Sequence, residues 1–379
     1  MRFRTKLIRA GIQPDSATGA LITPIYQTTT FVFDDIGVHK GFDYSRTGNP
    51  TRKALEDNLA ELEGGTYGIA LPTGMAAETT VLSLFKKGEH ILCGNDVYGG
   101  TVRLLNYFSG HFGLEVDYIS MQNPRNVADA VKPNTRAIWA ETPSNPLLNI
   151  VDLEAIHTIA SENSVLLIVD NTFLSPFFQQ PIGFGADIVV HSTTKYLSGH
   201  NDGLGGAIVC TESTLAEQLY FSANALGNAQ GAFDSWLILR GIKTLAVRMK
   251  EHEKSAMKTG RFLSEHKAVK RVYYPGLEDH PQSELIRKQM TGFGGMLSFE
   301  VEGGVERVNR IMRNVDLFYI AESFGGVESL IEHPQTMSHA SMSPSEQAEA
   351  GITGELIRLS VGLEDPDDLL EDLDKALSA

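Results

Sequence analysis

The chain has 379 residues, 42% hydrophobic and 21% charged, the balance of a soluble globular protein with room for two packed domains. Lys and Arg total 32 against 47 Asp and Glu, a formal net charge of −15, so no electrostatic footprint for nucleic acid or an anionic membrane exists. Cys93 and Cys210 are too few for a disulfide scaffold and lack the neighbours of a zinc site, so both are expected to be buried free thiols and no metal is expected.

The basic start MRFRTKLIRAG is followed by no apolar core, and no apolar run approaches a membrane span, which leads to the expectation of a cytoplasmic protein. Residues 1–49, rich in Thr, Gly, Pro and aromatics, show little helical periodicity and read as an extended arm. A helix is predicted from Pro50 and Thr51, with Leu55, Leu59 and Leu62 inward and Gly64 and Gly65 as its stop.

From there to about residue 210, strand and helix alternate. Strands are predicted at YGIAL (67–71), HILCG (90–94), LEVDYI (114–119), RAIWAE (136–141), VLLIVD (165–170), DIVVHS (187–192) and GGAIVC (205–210). Several are near-continuous apolar runs, as strands covered on both faces require. Helices are predicted at 76–87 and 152–163, and the alternation argues for a parallel or mixed sheet in an α/β domain. One long apolar-periodic helical segment (235–266) then leads to short strands in KRVYYP, GGMLSFEV, LFYIAES and LIRLSVG, a smaller α/β domain. The divisions expected are 1–49, 50–250 and 251–379.

In open α/β sheets ligands bind beyond the carboxyl ends of the strands. Four predicted strands end in reactive or polar residues: Thr73-Gly74-Met75 after the first, Tyr98-Gly99-Gly100 after the second, Asp170-Asn171-Thr172, and Ser192-Thr193-Thr194-Lys195. Gly74 and Met75 open a helix whose free N–H groups can hold an anion, although an ordinary strand-to-helix turn looks the same. Asp170 reads either as a turn aspartate or as a partner for a cationic ring nitrogen. Lys195 is either a snorkelling surface lysine or a desolvated nucleophile. Together these groups meet the needs of one cofactor, pyridoxal phosphate, which requires an amine, a carboxylate, an aromatic face and a phosphate cradle. Lys195, Asp170, Tyr98, and Gly74 with Ser192 and Thr194 supply them in turn.

The segments DYSRTGNPT (43–51), PTGMAA (72–77), VYGGT (97–101), ETPSNP (141–146), VDNTF (169–173), HSTTKYLSGH (191–200), AESFGGVESL (321–330) and LIRLSVGLED (356–365) resemble the cystathionine-processing family of pyridoxal-phosphate enzymes, in family order over nearly the whole chain. The resemblance implies fold type I, the aspartate-aminotransferase-like fold, with a mostly parallel sheet domain and a smaller C-terminal α/β domain. It implies that Lys195 carries the cofactor and shuttles protons, that Asp170 holds the ring proton, and that Tyr98 stacks on the ring. Met75 joins Gly74, Ser192 and Thr194 at the phosphate, and Thr172 supports the ring oxygen. Tyr44 and Arg46 resemble residues that reach a neighbouring subunit's phosphate, so a homo-oligomer is implied, a homotetramer above a dimer. Arg358 is similar to the arginine that grips the substrate carboxylate, with Asn145 and Ser323 positioning it and Arg103 near a distal carboxylate. Glu322 and Asp43 resemble acids of the γ-synthase and γ-lyase branches that meet a distal amino group. Gly100 stands where methionine γ-lyase carries cysteine. His191 and His200, which flank the lysine segment, are read as structural.

The implied activity is γ-replacement of the acyl group of O-succinyl- or O-acetylhomoserine by cysteine, giving cystathionine. Cleavage of cystathionine by a γ-lyase or β-lyase is the alternative. A nucleotide-binding oxidoreductase is disfavoured because neither GxGxxG nor GxxxxGK[ST] opens a helix. A non-catalytic scaffold has no use for a reactive amine at Lys195.

Overall fold

The computed structural model describes residues 1–379. Its larger sheet has seven strands, β1 (Tyr67–Leu71), β2 (His90–Gly94), β3 (Glu115–Ile119), β4 (Thr135–Glu141), β5 (Leu166–Asp170), β6 (Ile188–His191) and β7 (Gly206–Cys210). They lie in the order β1-β7-β6-β5-β4-β2-β3, with β5 at the centre. The run from β3 to β6 is parallel and β7 is antiparallel to both its neighbours, so the sheet is mixed. Helices cover both faces, which is why the strands carry almost no polar alternation: every residue of β2, β6 and β7 is buried.

Helix α2 (Pro50–Glu63) begins as its sequence dictates, with Asn49 accepting from the N–H groups of Thr51 and Arg52 and proline in the first turn. Gly64 ends it in the left-handed region at φ 77°. Leu55, Leu59 and Leu62 are fully buried, each worth about 1.5–3 kcal/mol of transfer free energy.

The smaller sheet holds β8 (Val269–Tyr273), β9 (Met296–Val301), β10 (Tyr319–Ile320), β11 (Leu330–Glu332) and β12 (Leu356–Ser360) in the order β10-β11-β12-β9-β8. Only β10 and β11 pair in parallel. No helix is long and apolar enough to cross a membrane. Cys93 and Cys210 are buried and free.

The structure departs from the sequence expectations in three places. Residues 3–9 are not extended but form helix α1 (Phe3–Arg9), which packs on α2 through buried Leu7. The segment 235–266 is two helices, Ala232–Ile242 and Leu245–Glu265, broken at Lys243 and Thr244, where the Thr244 hydroxyl and Arg248 donate to Gly241 O; Gly241 itself packs so closely that a Cβ would lie 2.1 Å from Ser198 O. The strand β11 was not anticipated, since three residues are too few to show a period. Helix Leu245–Glu265 spans the division expected at residue 250 and packs on α1 as well as on β8 and β9.

Candidate active site

One cavity of about 330 Å³ lies beyond the carboxyl ends of β4, β5 and β6, against the loops that precede β11 and β12. Gly74, Met75, Tyr98, Asn145, Asp170, Thr172, Ser192, Thr194, Lys195, Glu322, Ser323 and Arg358 all line it.

Its floor begins at helix α3 (Gly74–Leu82). Thr73 caps it by accepting from Ala76 N–H at 2.9 Å, which leaves the first-turn N–H groups of Gly74 and Met75 without carbonyls inside the helix. Gly74 is sterically required, since a Cβ would lie 2.9 Å from Ser192 Cβ. The N–H of Ser192 donates to Thr172 Oγ1 at 2.9 Å, and Thr172 donates to Asp170 Oδ1 through N–H (2.8 Å) and hydroxyl (2.5 Å). Asp170 closes β5 and is buried, which pushes its carboxyl up while the Thr172 bonds pull it back. The Thr194 hydroxyl and Gly205 are mutually hydrogen-bonded, at 3.2 Å to the carbonyl and 3.1 Å from the N–H.

Lys195 sits in the turn after β6. Arg248 pins that turn, donating to Tyr196 O at 2.8 Å and to Gly241 O at 2.9 Å. The lysine amine lies 2.6 Å from Ser323 Oγ and 5.1 Å from the centre of the Phe324 ring. Burial first, and the Arg358 charge second, lower its pKa to about 8. Arg358, on β12, is 3% exposed and donates to Asn145 Oδ1 (2.8 Å) and Ser323 O (3.0 Å). Ser323 has φ 90°, a backbone a serine rarely adopts, and this presents its carbonyl and hydroxyl to the two cations. Tyr98 precedes helix α4 (Gly99–Phe112), its N–H donating to Glu141 Oε2 at 2.8 Å. The Tyr98 ring lies over Gly100, where a Cβ would be 2.2 Å from it.

Four expected residues are outside this cavity. Tyr44 and Arg46 line a separate hollow with Tyr26, Arg52 and Gln230; Arg46 donates to Asn224 at 3.1 Å. Asp43 accepts from the adjacent Tyr44 N–H at 2.6 Å. Arg103 is exposed on α4, although its charge acts on Tyr98 and Glu78. His191 faces the opposite side of the sheet and pairs with buried Glu63; His200 Nδ1 lies 2.7 Å from Ser198 O.

Sequence reasoning missed Glu78, Glu141, Phe324 and Ser338, which line the same cavity, and Glu332 behind it. Glu141 ends its strand just as Asp170 does, and Glu78 stands one helical turn after Gly74, so both had a usable signal. Burial pushes the Glu78 carboxyl up to about 8, with the Asp170 charge adding to it.

The donor set fits pyridoxal phosphate. A glycine-cleared helix N-terminus suits the phosphate, a buried carboxylate suits a cationic ring nitrogen, and a desolvated amine suits an aldehyde.

Comparison with known proteins agrees. Residues 4–378 match the family described as Cys/Met metabolism PLP-dependent enzymes. The chain is 49% identical over 377 residues to the cystathionine gamma-lyase of Bacillus subtilis strain 168, covering 100% of this chain and 99% of that protein. It is 48% identical over 375 residues to the cystathionine beta-lyase of Lactococcus lactis subsp. cremoris strain MG1363, covering 99% and 98%. The crystal structure of cystathionine gamma synthase from Xanthomonas oryzae pv. oryzae in complex with cystathionine superposes with a TM-score of 0.98 at 44% identity, covering 100% and 98%. A fold of type I and a match along nearly the full chain lead to one statement: this chain belongs to the pyridoxal-phosphate-dependent enzymes of cysteine and methionine metabolism.

Proposed function

We propose that this enzyme breaks the carbon–sulfur bond of cystathionine, and that the same site supports γ-replacement on an O-acylated homoserine as its second reading. The observation that carries the proposal is the Lys195 amine, desolvated and held 2.6 Å from Ser323 Oγ, in one cavity with Asp170 and with an arginine suited to a carboxylate. The likeness to lyases at 49% and 48% identity supports cleavage first. The likeness to the γ-synthase at 44%, and Glu322 at the cavity wall, support the second.

Pyridoxal phosphate, when bound, supplies an electron sink for charge that develops beside the substrate's amino group. The N–H groups of Gly74 and Met75 and the hydroxyl of Ser192 would hold its phosphate, and Thr194 would join them by turning its hydroxyl from Gly205. Asp170, steadied by Thr172, would hold the ring nitrogen's proton, Tyr98 would pack on the ring, and Lys195 would bear the covalent link. Arg358, backed by Asn145 and Ser323, orients the substrate through its α-carboxylate in the bidentate geometry that guanidinium favours. Once the substrate's own amine has taken its place and set it free, the Lys195 amine would take the proton from Cα, and for γ-chemistry also from Cβ. Glu322, at the cavity wall, would meet the distal amino group; Asp43, outside its own chain's cavity, would join it only from a second copy, and Arg103, beside Tyr98, would draw the distal carboxylate from outside the cavity. Tyr44 and Arg46 complete the phosphate site of a second copy, in a homotetramer working in the cytoplasm.

A product assay tests this reading. Purified enzyme is given cystathionine alone, O-succinylhomoserine with cysteine, or O-acetylhomoserine with cysteine. Cysteine with 2-oxobutyrate marks γ-cleavage, homocysteine with pyruvate marks β-cleavage, and new cystathionine marks the synthase. No turnover of any of the three refutes the proposal.

A further inference from the structure

Behind Arg358 runs a closed ring of buried polar groups, three of which, Glu332, Ser338 and His339, have no part in the chemistry above. Arg358 Nη1 donates to Asn145 Oδ1, and Nη2 lies 3.0 Å from Glu332 Oε2, its partner across the antiparallel β11–β12 pair. The other oxygen of Glu332 lies 2.6 Å from Ser338 Oγ, which lies 2.9 Å from His339 Nδ1. His339 Nε2 closes the ring on Asn145 O at 3.2 Å. Glu332, His339 and Arg358 are all buried.

The hydrogens of this ring can be counted. His339 Nε2 meets a carbonyl oxygen, so it carries a proton and donates. Two contacts remain, Glu332 to Ser338 and Ser338 to His339, and the serine hydroxyl fills one of them. With Glu332 ionised and His339 neutral, the other contact sets two lone pairs against each other in a buried site, where solvent does not relieve the cost. One additional proton removes the conflict. It sits on Glu332 while Ser338 donates to His339, or on His339 while Ser338 donates to Glu332. Shifting two hydrogens converts one arrangement into the other. Serine is in the middle, whereas a nucleophile triad places imidazole there, so Ser338 is not activated as a nucleophile.

The charged neighbours are Arg358 on β12, Glu322 in the loop after β10, and Lys195 after β6; the carbonyls of Asn145 and Val97 face His339. Burial pushes the Glu332 carboxyl up, against the pull of Arg358. Burial and then Arg358 push the His339 imidazole down to about 4. Both directions place the extra proton on Glu332. Without that proton the Arg358 and Glu332 charges cancel; with it, the cluster keeps one positive charge in either arrangement.

We propose that Glu332, Ser338 and His339 share one proton behind Arg358, as positioning residues that keep the guanidinium's charge available to the carboxylate of an amino-acid ligand. The proposal rests on Arg358 as the carboxylate anchor, the reading given under Proposed function.

The test is calorimetric binding of propionate, a carboxylate with no amine, to the holoenzyme across neutral and alkaline pH, in buffers of differing protonation enthalpy. Wild-type affinity is expected to fall by about tenfold as the shared proton leaves, with proton uptake on binding at the alkaline end. Glu332→Gln, whose amide donates to Ser338 at every pH, keeps its affinity into the alkaline range. Ser338→Ala breaks the relay and leaves Arg358 facing an ionised acid, so its affinity is low and flat. Superimposable wild-type and Glu332→Gln profiles overturn the relay, as does uniform weakening of both variants. Arg358→Gln separates the two layers of the argument. If it binds propionate as the wild type does, the anchor itself is wrong; if it loses binding while the profiles superimpose, only the relay is wrong.

Discussion

Glu141 and Asp170 stand directly opposite each other at the carboxyl ends of adjacent parallel strands, and both line the same cavity. Burial pushes both carboxyls up, and the Asp170 charge pushes Glu141 further. Two neighbouring buried carboxyls do not both ionise without a large cost. Asp170 is the better placed of the two to carry charge, because Thr172 gives it two donors while Glu141 accepts only the N–H of Tyr98.

Asp170→Asn removes that charge and leaves the shape. Turnover is expected to fall by about a hundredfold or more, the loss that accompanies a missing charge-assisted contact of roughly 3 kcal/mol. Cofactor retention after dialysis, read from its absorbance, falls with it. Unchanged absorbance and rate would contradict the role.

The amine of Lys195 loses its proton near pH 8 rather than at the ordinary lysine value of 10.5, since burial and Arg358 both oppose its charge. Only the neutral amine attacks an aldehyde, so covalent loading of the apo-protein rises with pH around a midpoint near 8. Borohydride trapping followed by peptide mapping measures it. A midpoint above 10, the range of a free lysine, removes the basis for an activated amine. Lys195→Ala abolishes turnover and trapping together.

Gly74→Ala places a methyl group 2.9 Å from Ser192 Cβ. The cradle must open, which costs about 1–3 kcal/mol of stability by overpacking and loosens the phosphate site. Thermal unfolding of the apo-protein and a cofactor titration read the two effects. Wild-type values in both show that the close approach is not needed.

Tyr44 and Arg46 lie outside their own chain's cavity, on an arm that exposes Leu21, Val32 and Ile36. If the arm serves a second copy, mixing Arg46→Ala protomers with Lys195→Ala protomers restores activity. Random pairing leaves about a quarter of the sites with both native halves, so recovery to about a quarter of wild type is expected. Verified hybrids without recovery show that the arm does not cross.

Much of the larger sheet was legible because its strands are buried on both faces. HILCG and VLLIVD are runs that only a covered strand explains, and their polar ends marked the site. The smaller sheet was harder to read. β11 has three residues and β10 two, below any period, and they are strands only because β12 pairs beside β11 and β11 beside β10. The long helical segment misled because its apolar spacing continues through Lys243 and Thr244, where the Thr244 hydroxyl donates to Gly241 O and the helix breaks.

Local chemistry written in the chain determined which residues end the strands, open α3 and cap α2, because hydrogen bonding and steric demand there act between near neighbours. Only the tertiary structure decided that Glu141 shares the floor with Asp170 and that Glu332 stands behind Arg358. It also decided that Ser323 joins the lysine, 128 positions away in the chain, to the arginine, 35 positions away. Those relationships depend on strand order and register, which arise from packing whole sheets, and no short stretch of residues contains them.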